Sequence, residues 1–209
     1  LTPTTEGWRH IELVIDRSLS MHSIKTATEQ GVRAFLAEQH RTVGRTTVSL
    51  TQFDDEVELV YAHCDLAKVP EFTLTPHGNT ALLDAIGHTI TRTRRFVRGR
   101  PKTDRPDEII TVILTDGYEN ASQAFDLPSV RELISEQRGK RRVWTFVLLG
   151  ANEAVHTLAR RLGIDAGTAI QYDHDLSEAA LSTAGQMVSR AGETGTYGFT
   201  DDERRTTRH

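Results

Sequence analysis

Residues 14–21 read VIDRSLSM. Apolar positions run into an aspartate, and Ser18 and Ser20 follow at every second place. Alternate positions of an extended turn point the same way, so Asp16, Ser18 and Ser20 can aim oxygens at one point. Two other segments offer the same kind of donor. LTDGYEN ends an apolar run on Asp116, with Gly117 giving the backbone freedom to turn, and PHGNTALL places Thr80 at the opening of a helix. Two carboxylates and three hydroxyls make an all-oxygen set. Hard cations take such donors, Mg2+ first in octahedral geometry, with Mn2+ or Ca2+ as substitutes. Hydroxyls replace only some of the ion's waters, so one position stays open.

The surrounding elements decide whether these residues can meet. Residues 10–16, 108–116 and 142–150 are short, β-branched apolar runs ending in Asp or Gly, the pattern of central parallel strands covered on both faces. Residues 46–54 alternate more, and residues 56–64 follow after Asp55 alone. So short a link predicts a tight antiparallel hairpin that adds an edge strand. Residues 168–174 read as a weaker sixth strand. Helical periodicity fills 23–41, 79–97, 127–138, 153–163 and 176–191, with Pro128 suited to a first turn and Gly163 to a C-terminal stop. The alternation predicts an α/β fold: a doubly wound, mostly parallel six-stranded sheet with one antiparallel edge strand and helices on both faces. Sites in such sheets form outside the carboxyl ends of the strands at a topological switch point, where Asp16 and Asp116 both fall.

The chain has 209 residues, 37% hydrophobic and 26% charged, with a net charge of −4, which selects no acidic or basic partner. It reads as one domain over residues 1–191 with a flexible, aperiodic tail at 192–209. A single cysteine, Cys64, excludes an intrachain disulfide and fits a reducing compartment. The first residues carry no signal-peptide pattern, and no apolar run approaches the ~20 residues of a membrane helix, so a cytoplasmic protein without membrane contact is expected. Dinucleotide, P-loop and serine-hydrolase signatures are absent. A D-x-D phosphotransferase would need an acid where Ser18 stands.

D-x-S-x-S after the first strand, a Thr in G-N-T-A-L and T-D-G at a later strand end together resemble a von Willebrand factor type A domain, whose metal-ion-dependent adhesion site these three pieces form. The match covers roughly residues 8–190. It is similar to bacterial stand-alone cytoplasmic members, in which D-R-S-x-S-M, T-A-L-L-D-A-I and I-L-T-D-G-x-E-N recur. The resemblance implies a Rossmann-like fold, direct metal ligation by Ser18, Ser20 and Thr80, and direct or water-mediated ligation by Asp16 and Asp116. Leu19 stands where the family commonly has Gly and should project near the metal rim.

Charge then favours binding over catalysis. If one aspartate acts through water, an under-neutralised cation attracts an external carboxylate, an Asp or Glu of a partner protein. The resemblance suggests AAA-type ATPases or stress- and phage-related assemblies as partners. Thr80, on a loop 77–80 with Gly78 as a hinge, is expected to approach or leave the ion independently and to set partner affinity. His77 is the one candidate general base in the motif loops. Asp84, one turn after Thr80, reads equally as orienting Thr80 or the aspartate loop and as a solvated or capping residue, and Glu119 and Asn120 are expected to stabilise the loop after T-D-G. Two alternatives stand: a metal-dependent hydrolase or phosphatase using the same cluster, and nucleic-acid binding through the basic stretch 92–102, which is disfavoured because such runs are common solvated helix ends.

Overall fold

The structure, a computed structural model, describes residues 7–137 and 143–209. β1 (Trp8–Asp16) is buried along its whole length. β2 (Arg45–Phe53) and β4 (Glu108–Thr115) pair with it in parallel on either side. β5 (Val143–Gly150) and β6 (Ala169–Gln171) continue the parallel sheet beyond β4. β3 (Val57–Asp65) returns antiparallel to β2 and forms the outer edge, giving the order β3-β2-β1-β4-β5-β6. The expected hairpin and edge strand are therefore present. Arg138 and Arg142, expected to end the third helix and begin the next strand, lie outside the described residues, as do residues 1–6.

Side chains alternate across β1, and each parity meets a different helical layer. Ile11, Leu13 and Ile15 join the core under α1 (Lys25–Gln39) and α5 (Ser177–Thr194). Val14 joins the core under α2 (Leu82–Arg98), α3 (Leu127–Gln137) and α4 (Ala154–Leu162). Both cores are built mainly from Ile, Leu, Val and Phe, which is why the central strands read as near-continuous apolar runs. Among the described residues no helix is long and apolar enough to cross a membrane.

Residues 192–209, expected as a flexible tail, are instead built into the domain. α5 continues to Thr194, and Phe199 is buried in the core under α1 and α5. Thr200 and Glu203 form a capping box that starts α6 (Asp201–Arg205). Arg204 donates to the Ala169 and Gly167 carbonyls, and the Asp173 amide donates to the Thr207 carbonyl, so the segment covers the outer edge at β6. Its order comes from single anchors and capping bonds, which leave no periodic signature in a polar sequence.

Truncating a buried aromatic removes its transfer energy and leaves a cavity. Phe199→Ala is therefore expected to lose about 3 kcal/mol of unfolding free energy, read by chemical denaturation. A loss below about 0.5 kcal/mol, the range of neutral surface substitutions, would mean the segment does not brace the sheet.

Candidate metal centre

The chain leaves β1 toward β2 on one side and reaches β4 on the other, so the connections diverge between β1 and β4. Asp16 ends β1 and Asp116 follows β4, which places both carboxylates at that crevice. The Ser18 backbone amide donates to Asp16 Oδ1 at 2.7 Å, and Thr115 Oγ1 donates to Asp16 Oδ2 at 2.6 Å. Ser18 Oγ lies 3.1 Å from Ser20 Oγ, and Ser20 Oγ donates to Asp116 Oδ1 at 2.7 Å. Four of the five expected residues thus form one hydrogen-bonded cluster.

Asp116 Oδ2 is buried and has no hydrogen-bond partner. A buried carboxylate oxygen without a partner costs free energy unless something positive meets it. Burial, with the neighbouring Asp116 charge adding to it, pushes Asp16 up from its ordinary 3.8 to about 6. Burial also raises Asp116. A raised folded value means stability that is present below 3.8 and lost as the pH rises through about 6. Ionised Asp16 therefore costs the metal-free fold on the order of 3 kcal/mol at neutral pH. An all-oxygen donor set with an orphaned carboxylate oxygen suits a hard divalent cation.

Thr80 has no hydrogen bond to that cluster among the described residues; its hydroxyl lies against Gly117, the residue after Asp116. A Cβ on Gly117 would stand 2.9 Å from Thr80 Oγ1, so glycine is needed there for close approach, and its φ is not positive. Asn120 holds both backbone groups of Thr80: its Oδ1 accepts from the Thr80 amide, and its own amide donates to the Thr80 carbonyl. The independent hinge expected at residues 77–80 is not what the structure has. The His77 amide donates to the Arg17 carbonyl, the Leu19 amide to the Gly78 carbonyl, and the Ala81 amide to the Asp54 carbonyl. Gly78, at φ 69°, has Asp55 against it, and Asp55 accepts from the Asn79 amide and side chain. These bonds fasten the loop to both neighbouring loops.

The loop after Asp116 is locked to α2 by an exchange of caps. Glu119 accepts from the Leu83 amide in the first turn of α2, where orphan amides need partners. Asp84 of that turn accepts from the amides of Gln123, Ala124 and Phe125. Of the two readings of Asp84, the structure has it capping backbone amides of the loop after Asp116, while Glu119 and Asn120 tie that loop to α2 and to Thr80.

Leu19 is 64% and Tyr118 68% exposed, so the turn bearing the serines and the turn after Asp116 each present a large apolar side chain at this end of the sheet. His77 pairs with Asp54 at 3.0 Å, one loop away from the cluster. His174 was not anticipated: its Nδ1 is 3.7 Å from Asp116 Oδ2 and its Nε2 is 2.9 Å from Ser23 Oγ. It lies 58 positions beyond Asp116 in the chain, and only the fold brings it near. Several cations of the 92–102 stretch are engaged internally, Arg92 with Glu12, Arg94 with Glu136 and Arg100 with Asp104. A second group of donor atoms, from His10, Glu12 and His63, gathers at the opposite end of β1, and sequence reading missed it. The H-x-E spacing was visible, but the run was read only as a buried strand.

No protein-family model and no curated protein matches the chain in sequence. Solved structures do match its fold. Proximal thread matrix protein 1 from the mussel byssus, described with a zinc-occupied MIDAS motif, superposes with a TM-score of 0.61 at 16% identity, over 88% of this chain and 46% of that one. A von Willebrand factor type A protein from Catenulispora acidiphila gives 0.59 at 14% identity, over 87% and 42%. The ArnB paralog VWA2 from Sulfolobus acidocaldarius gives 0.56 at 16% identity, over 88% and 46%. The chain spans less than half the length of each of these structures, and its fold is the von Willebrand factor type A fold.

Removing the Asp16 charge while keeping its shape separates the two roles of that residue. In chelator at neutral pH, Asp16→Asn is expected to melt no lower than wild type, because the cost of ionising Asp16 is gone. Added Mg2+ should then leave its melting temperature unchanged. A variant that melts well below wild type in chelator would contradict the electrostatic strain assigned to this carboxylate.

Proposed function

Starting from the von Willebrand factor type A fold, we propose that the chain is a metal-dependent protein-interaction module. In this reading Asp16, Ser18, Ser20, Thr80 and Asp116 hold one divalent cation, Mg2+ first and Mn2+ or Ca2+ as substitutes. The observation that carries it is Asp116 Oδ2, buried and without a hydrogen-bond partner beside Asp16 and the two serines. A bound cation would supply an electrophilic position open to an external ligand. The chain's own residues do the rest. Ser18, Ser20 and Thr80 contribute neutral oxygens, so the two aspartates can at most balance a dication, and any water between them and the ion leaves it short of charge. Thr115 and the Ser18 amide already occupy both oxygens of Asp16 with hydrogen bonds, which suits Asp16 to act through water.

A carboxylate from a partner's Asp or Glu completes the site, and Leu19 and Tyr118 add apolar contact around it. The partner class is a protein, with AAA-type ATPases and stress- or phage-related assemblies suggested by the likeness of the motifs, in a cytoplasmic setting. One observation favours a second reading, a metal-dependent hydrolase: His174 stands within 3.7 Å of Asp116 and could take a proton there.

Mg2+ or Mn2+ is expected to bind one site and raise the melting temperature by mass action. Asp16→Ala and Asp116→Ala should abolish both effects. Thr80→Ala, which removes one neutral donor and neither carboxylate, should lower the metal affinity less than either aspartate variant, and chelator should release from wild type the protein captured from native cell extract with Mg2+. Capture that survives chelation would place the interaction elsewhere. Metal-dependent turnover of a phosphoester that His174→Ala removes would select the hydrolase instead.

A further inference from the structure

At the far end of β1 lies a cluster that the carboxylate–hydroxyl centre does not use. His10 and Glu12 alternate on β1, so both point toward α2, and both are fully buried. His63 reaches them from edge strand β3, across β2. One nitrogen of each imidazole and one oxygen of Glu12 lie within 4.8 Å of one another, and His10 Nε2 is 3.0 Å from Glu12 Oε1.

The place of His63 is built at a cost. The β2–β3 register slips between Val48 and Leu50, opposite Ala62 and His63. Among the described residues His63 alone, other than glycine, has a positive φ, 52°. Such a conformation is strained for a residue with a side chain and persists only where its surroundings enforce it. Here the irregularity turns an edge-strand ring inward. The ring stacks on Phe96 with centroids 3.4 Å apart, and its centroid is 4.9 Å from that of His10. The His63 amide donates to Ser49 Oγ at 3.0 Å, but among the described residues the ring itself has one hydrogen-bond contact, a long one from Nδ1 to Ser49 Oγ at 3.5 Å, so the backbone is held by hydrogen bonding and the inward ring by stacking. Bulges that re-aim a side chain are a recurrent device at binding sites.

We propose that His10, Glu12 and His63 form a second cation site, one that takes a borderline transition metal, zinc first. Two imidazoles and a carboxylate suit Zn2+ and not Mg2+, which prefers oxygen. The supporting bonds are in place. His10 Nδ1 meets Thr47 Oγ1 at 2.8 Å, and Trp8 Nε1 donates to that same hydroxyl. Glu12 accepts from Thr93 Oγ1 on one oxygen and from Arg92 on the other. Such outer partners fix the orientation of metal ligands. Zn2+ would take His10 Nε2 in place of its hydrogen bond to Glu12 Oε1, with His10 bound as the neutral imidazole whose one ring proton sits on Nδ1 and is donated to Thr47 Oγ1. Arg92 also pairs with Glu12, and Arg100 lies over the Phe96 ring on which His63 stacks. Their positive charge opposes any cation held by electrostatics alone, which selects further for a metal that bonds to imidazole nitrogen. The ion would tie edge strand β3 to central strand β1 across β2.

The test uses Zn2+ as the probe, titrated by calorimetry in millimolar Mg2+. Asp16→Ala, which disables the other centre, should still bind one Zn2+. Adding His63→Asn should lower that affinity by at least about tenfold, as even loss of an outer-shell partner does. Asn tolerates the positive φ, so this variant should keep its fold, checked by its melt in chelator. In the wild-type background His63→Asn should leave the Mg2+-dependent rise in melting temperature unchanged. Absence of Zn2+ binding by Asp16→Ala, or equal binding after His63→Asn, would overturn the proposal.

Discussion

Two carboxylates that repel each other are held side by side at the carboxyl ends of adjacent parallel strands. Asp16 and Asp116 stand on opposite sides of the crevice between β1 and β4, both largely out of water. A fold does not place like charges in a buried crevice without means to hold them. The hydroxyls of Thr115 and Ser20 and the Ser18 amide donate to them, yet one oxygen of Asp116 accepts no hydrogen bond. The parallel sheet makes the juxtaposition possible, since only parallel neighbours bring two strand ends to one edge from separate parts of the chain.

The loops around the crevice are tied to one another more than to solvent. Thr80 is gripped by Asn120, the start of α2 trades caps with the loop after β4, and residues 77–79 are bonded to both the serine turn and the β2–β3 turn. This makes a stiff rim. Stiffness of that kind is what a recognition surface needs to keep the ordering entropy of binding small. Leu19 and Tyr118 are then the exposed apolar features on an otherwise polar rim.

Much of this was legible in the residues. Strand ends, turn residues and the five oxygen donors are local features, and local features leave local spacing: D-x-S-x-S on one turn, T-D-G on another. The hairpin followed from the short link between β2 and β3. What could not be read depends on distant contacts. The clamp of Asn120 on Thr80 spans 40 residues and turns a supposed hinge into a fixed part. His174 reaches the site only through the packing of the segment after β6. The final residues look disordered by composition, yet Phe199 and one capping box suffice to order them once β6 offers its carbonyls. His10 and Glu12 were visible as a pair, but nothing in the sequence says that a bulge on β3 brings His63 to meet them.

The separation of the oxygen donors along the chain also has a consequence in time. Ser20 and Asp116 are 96 positions apart, and Thr115 and Asp16 are 99 apart. Contacts of such long range form late, after the entropy of closing large loops has been met. During folding the crevice exists only once β4 has docked beside β1, so a cation has nothing to bind in earlier, partly collapsed states. That docking step brings the two carboxylates together against their repulsion, driven by the apolar faces of β1 and β4 and by the hydrogen-bond ladder between them.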